Sequence, residues 1–313
     1  MLTKDMSKEN YVLTTLVEDN PHTLIAGTTG SGKSVCLNKI LYSILKHNCL
    51  GLMDIAYKLA HKENVGPDAN KQLIQFAFID VKRVELRDYK DLRETKYYVT
   101  EPDDVPAMLD KVIDEMERRY TVMKGRKYNG EYFYVVIDEL ADLVNSENKK
   151  RNKEILARLV RIGRLGRAVN VKLLACTQDP SRETLSGPLM QNFPCRIALY
   201  CESDIDSRQI IGVSGAEKID GYGKCIVRTR GLDNVEYGMV SDEDIAEVVN
   251  VHNQISEYVW KLIKRPSLFE VLTFAKRRAK MPIAFSPDYV ESRFRAMDAV
   301  YDSLGTTHPV FEA

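Results

Sequence analysis

Thr23-Leu24-Ile25-Ala26 runs straight into Gly27-Thr28-Thr29-Gly30-Ser31-Gly32-Lys33-Ser34, and Leu37, Ile40, Leu41, Ile44 and Leu45 then recur at helical spacing. An apolar run ending at a glycine predicts a buried strand, and the three-to-four-residue repeat behind it predicts a helix. The octet between them has the form GxxxxGK(S/T). Its glycines let the backbone wrap closely, so that successive N–H groups point inward at a phosphate. The start of the helix adds the positive end of its dipole. The candidate nucleotide-binding residues are Gly27, Thr28, Thr29, Gly30, Ser31, Gly32, Lys33, Ser34 and Val35. Lys33 is expected to reach the β- and γ-phosphates, and the Ser34 hydroxyl to ligate magnesium. ATP and Mg2+ are therefore the expected cofactors. A chance glycine-rich turn is the competing reading.

Working outward, apolar runs at 75–80, 132–137, 171–176 and 195–200 read as further strands. Helices are expected where Leu109, Val112, Ile113, Met116, Tyr120 and Met123 align behind Pro106, and where Ile155, Leu156, Leu159 and Ile162 align. Strands alternating with helices imply right-handed βαβ units and a mainly parallel sheet buried on both faces. The run Tyr134-Val135-Val136-Ile137 delivers Asp138 and Glu139 to the edge of that sheet. Asp138 is expected in the magnesium shell, and Glu139 to orient and polarise an attacking water. Two solvated acids capping a strand would look the same. Gln178 ends the next strand, where its side chain can report the γ-phosphate; a simple turn before Pro180 is the alternative.

Composition narrows the classes. The 313 residues carry 45 Lys and Arg against 45 Asp and Glu, with 44% hydrophobic residues, as an ordinary globular protein does. No run of apolar residues is long enough for a membrane span, and the polar N-terminus reads as neither a secretory signal nor a lipid anchor. A cytoplasmic location follows, with any membrane recruitment left to a partner. The six cysteines lack CxxC spacing and HExxH is absent, which disfavours disulfides and a zinc hydrolase. Basic stretches at 149–172 and 261–280 can contact phosphates or form solvated helix faces. The expected organisation is a motor domain over 1–250 and a basic helical appendage over 251–313.

These motifs, in order, resemble the motor domain of the FtsK/SpoIIIE family of DNA translocases, within the HerA–FtsK branch of P-loop ATPases. The matching pieces are Pro21-His22 before the loop, IDVKRVEL from Ile79, EMERRY from Glu115 and VVIDELADL from Val135. ACTQDPS from Ala175, ESDIDSRQIIG from Glu202 and GAEKIDGYGKCIV from Gly215 complete the set. The resemblance implies a RecA-like α/β fold and a ring, expected to be a hexamer, with ATP between neighbouring subunits and double-stranded DNA in a central pore. It also implies an arginine reaching the neighbour's γ-phosphate. Alignment on the sensor strand selects Arg167, and counting from the preceding helix selects Arg164. Arg208, in IDSR, matches a position near the pore and is expected on the DNA backbone; a local pair with Asp204 or Asp206 is the alternative.

Departures accompany the match. Asp179 stands where the family usually has arginine in TQRPS, Asp204 where lysine often precedes IDSR, and Lys224 where an acid commonly follows GxG. Acids repel a phosphate backbone, so DNA would be held elsewhere, with Arg182 a candidate. The expected function is an ATP-driven DNA translocase serving conjugative transfer or mobilisation of a mobile element, with a relaxase or a membrane channel as partner. The alternatives are a type VII-like protein-secretion ATPase and a nucleotide-gated scaffold. Intact Lys33, Asp138 and Glu139 weigh against the scaffold.

Overall fold

The computed structural model describes residues 17, 19–60, 65, 73–123, 125 and 128–263. In chain order the elements are β1 (His22–Ala26), α1 (Lys33–Ala60), β2 (Ile74–Ile79), β3 (Thr95–Val99), α2 (Val105–Met123), β4 (Tyr132–Ile137) and α3 (Leu140–Val144). There follow α4 (Lys149–Leu165), β5 (Val171–Thr177), α5 (Gly187–Met190), β6 (Cys195–Ala198), α6 (Asp204–Ile211), β7 (Lys224–Arg228), β8 (Leu232–Glu236) and α7 (Asp242–Ile263).

The strands form one sheet in the order β3-β2-β4-β5-β1-β6-β7-β8. Every pair from β3 to β6 is parallel, and β7 and β8 extend the edge antiparallel. Period-two side-chain alternation sorts each strand onto two faces. Leu24, Ala26, Val135, Ile137 and Leu173 pack with Val105, Leu109 and Val112 of α2 and Ile155, Leu159 and Ile162 of α4. Ile25, Phe76, Phe78, Val136 and Leu174 pack with Leu37, Ile40, Leu41 and Leu45 of α1 and with Ile245 and Val248 of α7. Burial on both faces is why the central strands read as unbroken apolar runs.

Register sets the site. Ala26 pairs with Thr177 on one side and Ala198 on the other, so the loop after β1 leaves the sheet between the ends of β5 and β6. Ile137 pairs with Ala175, which brings Asp138 and Glu139 to the same carboxyl edge. In a parallel sheet, ligands bind beyond the carboxyl ends of the strands where the order reverses. Here that point is β1, between β5 and β6.

The expected strands are present, with ends moved by one or two residues. The sequence reading missed β3, β7 and β8. β3 and β8 are the two edge strands and β7 lies beside β8, which buries only Val235. The position expected to divide the chain, 250/251, falls inside α7, which packs on the α1 face. His252 anchors that helix: its Nε2 lies 2.7 Å from Asn48 Oδ1 and its Nδ1 3.1 Å from Glu94 Oε2. The basic stretch at 261–280 lies outside the described side chains.

Four of the nine cations in the basic stretch at 149–172 are engaged within the chain. Arg151, Arg158 and Arg161 pair with Asp103, Asp110 and Glu117 on and beside α2, and buried Lys172 lies over the Tyr132 and Tyr134 rings. Among the described residues no helix is long and apolar enough to cross a membrane, and no His, Cys, Asp and Glu cluster could hold a metal by itself. All six cysteines are buried free thiols.

Candidate functional site

The loop between β1 and α1 is shaped by contacts that tolerate little else. A Cβ on Gly27 would lie 2.9 Å from Leu199 Cβ and 3.0 Å from Tyr200 O, so only glycine fits the close approach of β1 to the end of β6. Gly30 and Gly32 have φ of +75° and +91°, where side chains are strained. The Thr28 N–H donates to Tyr200 O at 3.0 Å, fixing the loop to the neighbouring segment. Lys33 is buried and folds back, donating from Nζ to Gly27 O at 2.9 Å and Thr28 O at 2.6 Å. Burial pushes its ammonium below the ordinary range, and Glu139 acts in the opposite direction. Ser34 and Val35 are half-buried at the first turn of α1.

The two acids are both buried, which removes the reading of solvated strand-end caps. Glu139 is the N-cap of α3, accepting from the Ala141 N–H at 3.3 Å. Its two carboxylate oxygens accept from the Gln178 N–H at 3.0 and 3.2 Å, and Lys82 Nζ donates to it at 3.2 Å. Asp138 presents Oδ2 as a buried oxygen with no hydrogen-bond partner. Burial pushes its carboxyl up to about 7, against the pull of Lys82. A buried, unpaired carboxylate oxygen beside a phosphate loop is a fitting ligand for a hard cation, which is held through one or two carboxylates plus phosphate oxygens. Gln178 joins the loop directly: Thr29 Oγ1 donates to its Oε1 at 2.7 Å.

The structure thus brings together the loop, Asp138, Glu139 and Gln178. It also adds Lys82, which the sequence reading quoted only within IDVKRVEL. Asp80 explains that motif: fully buried, it accepts from the Val84 and Leu86 N–H groups at 3.3 and 3.4 Å and from Tyr98 OH at 2.6 Å. Those bonds fold the turn that presents Lys82 to Glu139.

Arg167 is not in this cluster. It is exposed on the turn before β5, at the amino edge of the sheet, with Arg164 exposed one turn earlier. The length of β5, seven residues, separates it from Gln178 by roughly 23 Å. EMERRY holds this segment in place. Fully buried Arg119 pairs with Glu115 and Glu131 and donates to Val169 O at 3.0 Å, while Tyr120 OH donates to Leu165 O at 2.7 Å. Arg208 pairs with Asp204 at 3.0 Å on the exposed face of α6, and Arg182 is exposed on the turn after β5.

Residues 1–60 and 69–134 match the FtsK/SpoIIIE family. The DNA translocase FtsK of Staphylococcus aureus is 34% identical over 79% of this chain and 32% of its own length. The chain therefore spans about a third of the length of the curated relatives it matches. Among solved structures, the pCW3 conjugation coupling protein TcpA in its monomer form superposes with a TM-score of 0.60 at 22% identity, covering 76% of this chain and 64% of that one. The cytoplasmic domain of the Thermomonospora curvata type VII secretion ATPase EccC gives 0.54 at 22%, covering 74% and 28%. At that identity these likenesses show the fold alone, an α/β P-loop fold of the RecA-like kind. Together with the ordered motifs and the convergence of their side chains on one sheet edge, the matches show that this chain belongs to the FtsK/SpoIIIE family.

Proposed function

We propose that the chain is the ATP-hydrolysing motor of a double-stranded DNA translocase that works as a ring of identical subunits, a hexamer by family resemblance. The carrying observation is the split of the chemistry between two edges: Lys33, Asp138, Glu139 and Gln178 meet at the carboxyl edge, while Arg167 stands exposed at the amino edge. A single copy does not bring the two together, so the arginine that the family resemblance calls for would come from a second copy.

In this reading the backbone of 27–34 cradles the phosphates, and Lys33 exchanges its two loop carbonyls for phosphate oxygens. Ser34 and Asp138 would hold magnesium, whose chemistry when bound is to neutralise charge on the terminal phosphates. Glu139, oriented by Gln178 and Lys82, takes the proton of the attacking water. Arg167 of the adjacent copy stabilises the charge that develops on the transferred phosphoryl group. Gln178 links the loop at Thr29 to Glu139 through one residue, which suits it to sense the γ-phosphate.

DNA as cargo is supported by the 34% identity with a DNA translocase, whereas the protein-secretion ATPase shares only the fold. Arg208 and Arg182 are the proposed backbone contacts. The proposed setting is transfer or mobilisation of a mobile element, in the cytoplasm, with a relaxase or membrane channel as recruiting partner. ATP turnover with and without duplex DNA tests the core of the reading. Duplex should raise the rate and, with a triplex-forming strand as reporter, displace it; a rate indifferent to duplex contradicts DNA as cargo.

A further inference from the structure

Asp179 is a departure from the family pattern, and the reading above gives it no task. An acid beside a DNA channel would repel phosphate, yet its carboxylate does not face outward. It accepts from the Ser181 N–H at 2.9 Å, Ser181 Oγ at 2.8 Å, Thr184 Oγ1 at 2.6 Å and Asn145 Nδ2 at 3.0 Å. Thr184 is fully buried. Burial of Asp179 opposes its charge, and the hydrogen bonds from Thr184, Ser181 and Asn145 outweigh it, holding the carboxyl below its ordinary range.

The partners matter more than their number. Asn145 is the C-cap of α3, and Glu139 is the N-cap of the same five-residue helix. At 1.5 Å per residue those ends are under about 10 Å apart. The loop that follows β5 grips both: Gln178 N–H sits on Glu139 at one end, and Asp179 holds Asn145 at the other. Thr177 closes the turn between them, its Oγ1 accepting from the Asp179 N–H at 3.2 Å.

We propose that Asp179 is a positioning residue: its carboxylate fastens the 177–184 loop to the far end of α3, so that the Gln178 N–H rests on both oxygens of Glu139. This inference rests on the ATPase reading and deepens it. It assigns to an internal bond network the acid that the sequence comparison set against DNA.

The test uses the full chain, with Asp179→Asn, Thr184→Val and Thr184→Ser. Asp179→Asn keeps the shape and loses acceptor capacity; Thr184→Val keeps the buried volume and loses the hydroxyl; Thr184→Ser keeps the hydroxyl. Basal, DNA-free kcat should fall by roughly tenfold to a hundredfold in the first two, as for a misplaced catalytic group. KM for ATP should stay within about twofold. Thr184→Ser should stay near the wild type, and the duplex Kd should not change in any variant. Amide hydrogen exchange at Gln178 should speed up by about tenfold or more in the first two variants. Unchanged basal kcat with unchanged Gln178 exchange overturns the proposal. So does tighter duplex binding with unchanged basal turnover, which would make Asp179 a DNA-facing charge. If the wild type itself fails to hydrolyse ATP, the ATPase reading falls, and the exchange experiment still decides what Asp179 does.

Discussion

The two edges of the sheet are built in opposite ways. At the carboxyl edge Lys33, Asp138 and Glu139 are buried: Lys33 bonds to its own loop, Glu139 to Gln178, Ala141 and Lys82, and Asp138 Oδ2 is left open. At the amino edge buried Arg119, paired with half-buried Glu115 and Glu131, serves as scaffolding, and the arginines beyond it are exposed. One edge is a prepared pocket. The other presents exposed arginines beside a rigid support. In the proposed ring, each chain would supply half a site at either end of the same strands.

The comparison breaks most visibly at Arg167. Arg167→Ala should lower ATP turnover by about 10³–10⁵-fold while nucleotide titration remains normal; Arg164→Ala should cost less than about threefold. The reverse pattern would move the role to Arg164, and two mild variants would remove the amino edge from the chemistry. Arg119→Met strikes the support instead. Glu115 keeps Arg118 and Glu131 keeps Gln75, but the carbonyls of Glu131 and Val169 lose a buried donor, so urea titration should show a loss of about 2–4 kcal/mol.

His22 sharpens the contrast by pH. Its Nδ1 accepts from the Leu173 N–H at 3.0 Å at the start of β1, and burial pushes its pKa from 6.5 down to about 4. The folded imidazole binds fewer protons than the unfolded one, so stability is complete above about pH 6.5 and drains away as pH falls toward 4, by about 3 kcal/mol. His22→Gln should flatten that window in pH-resolved denaturation, and an unchanged slope would place the titration elsewhere. Smallest of all is Arg208→Ala. An exposed i,i+4 pair with Asp204 is worth less than about 0.5 kcal/mol. As a phosphate contact, however, Arg208 should contribute about one unit to the salt slope of duplex binding. A slope identical to wild type confines it to its ion pair.

The sequence made some of this legible and hid the rest for physical reasons. The central strands could be read because burial on both faces leaves them uniformly apolar, and the loop could be read because phosphate binding demands glycine and lysine at fixed spacing. Edge strands escaped: β8, with Leu232, Asp233, Asn234 and Glu236 outside, carries the charge that protects an exposed edge. Lys82 escaped because its partner Glu139 lies 57 residues away and only the buried Asp80 turn joins them. The basic run of α4 stayed open between phosphate contact and a solvated face, since the acids that pair with Arg151, Arg158 and Arg161 belong to α2 and its preceding turn. Arg167 was chosen on alignment; its distance from its own loop follows from topology.

Complementation between two crippled chains tests the central claim most directly. Glu139→Gln and Arg167→Ala proteins should each be nearly inert toward ATP alone. Mixed in equal amounts and allowed to exchange subunits, about one interface in four should join an intact Glu139 to a neighbour's intact Arg167. Turnover should then rise well above the sum of the two separate rates. A mixture no more active than that sum, with subunit exchange confirmed, contradicts a site completed by the adjacent copy.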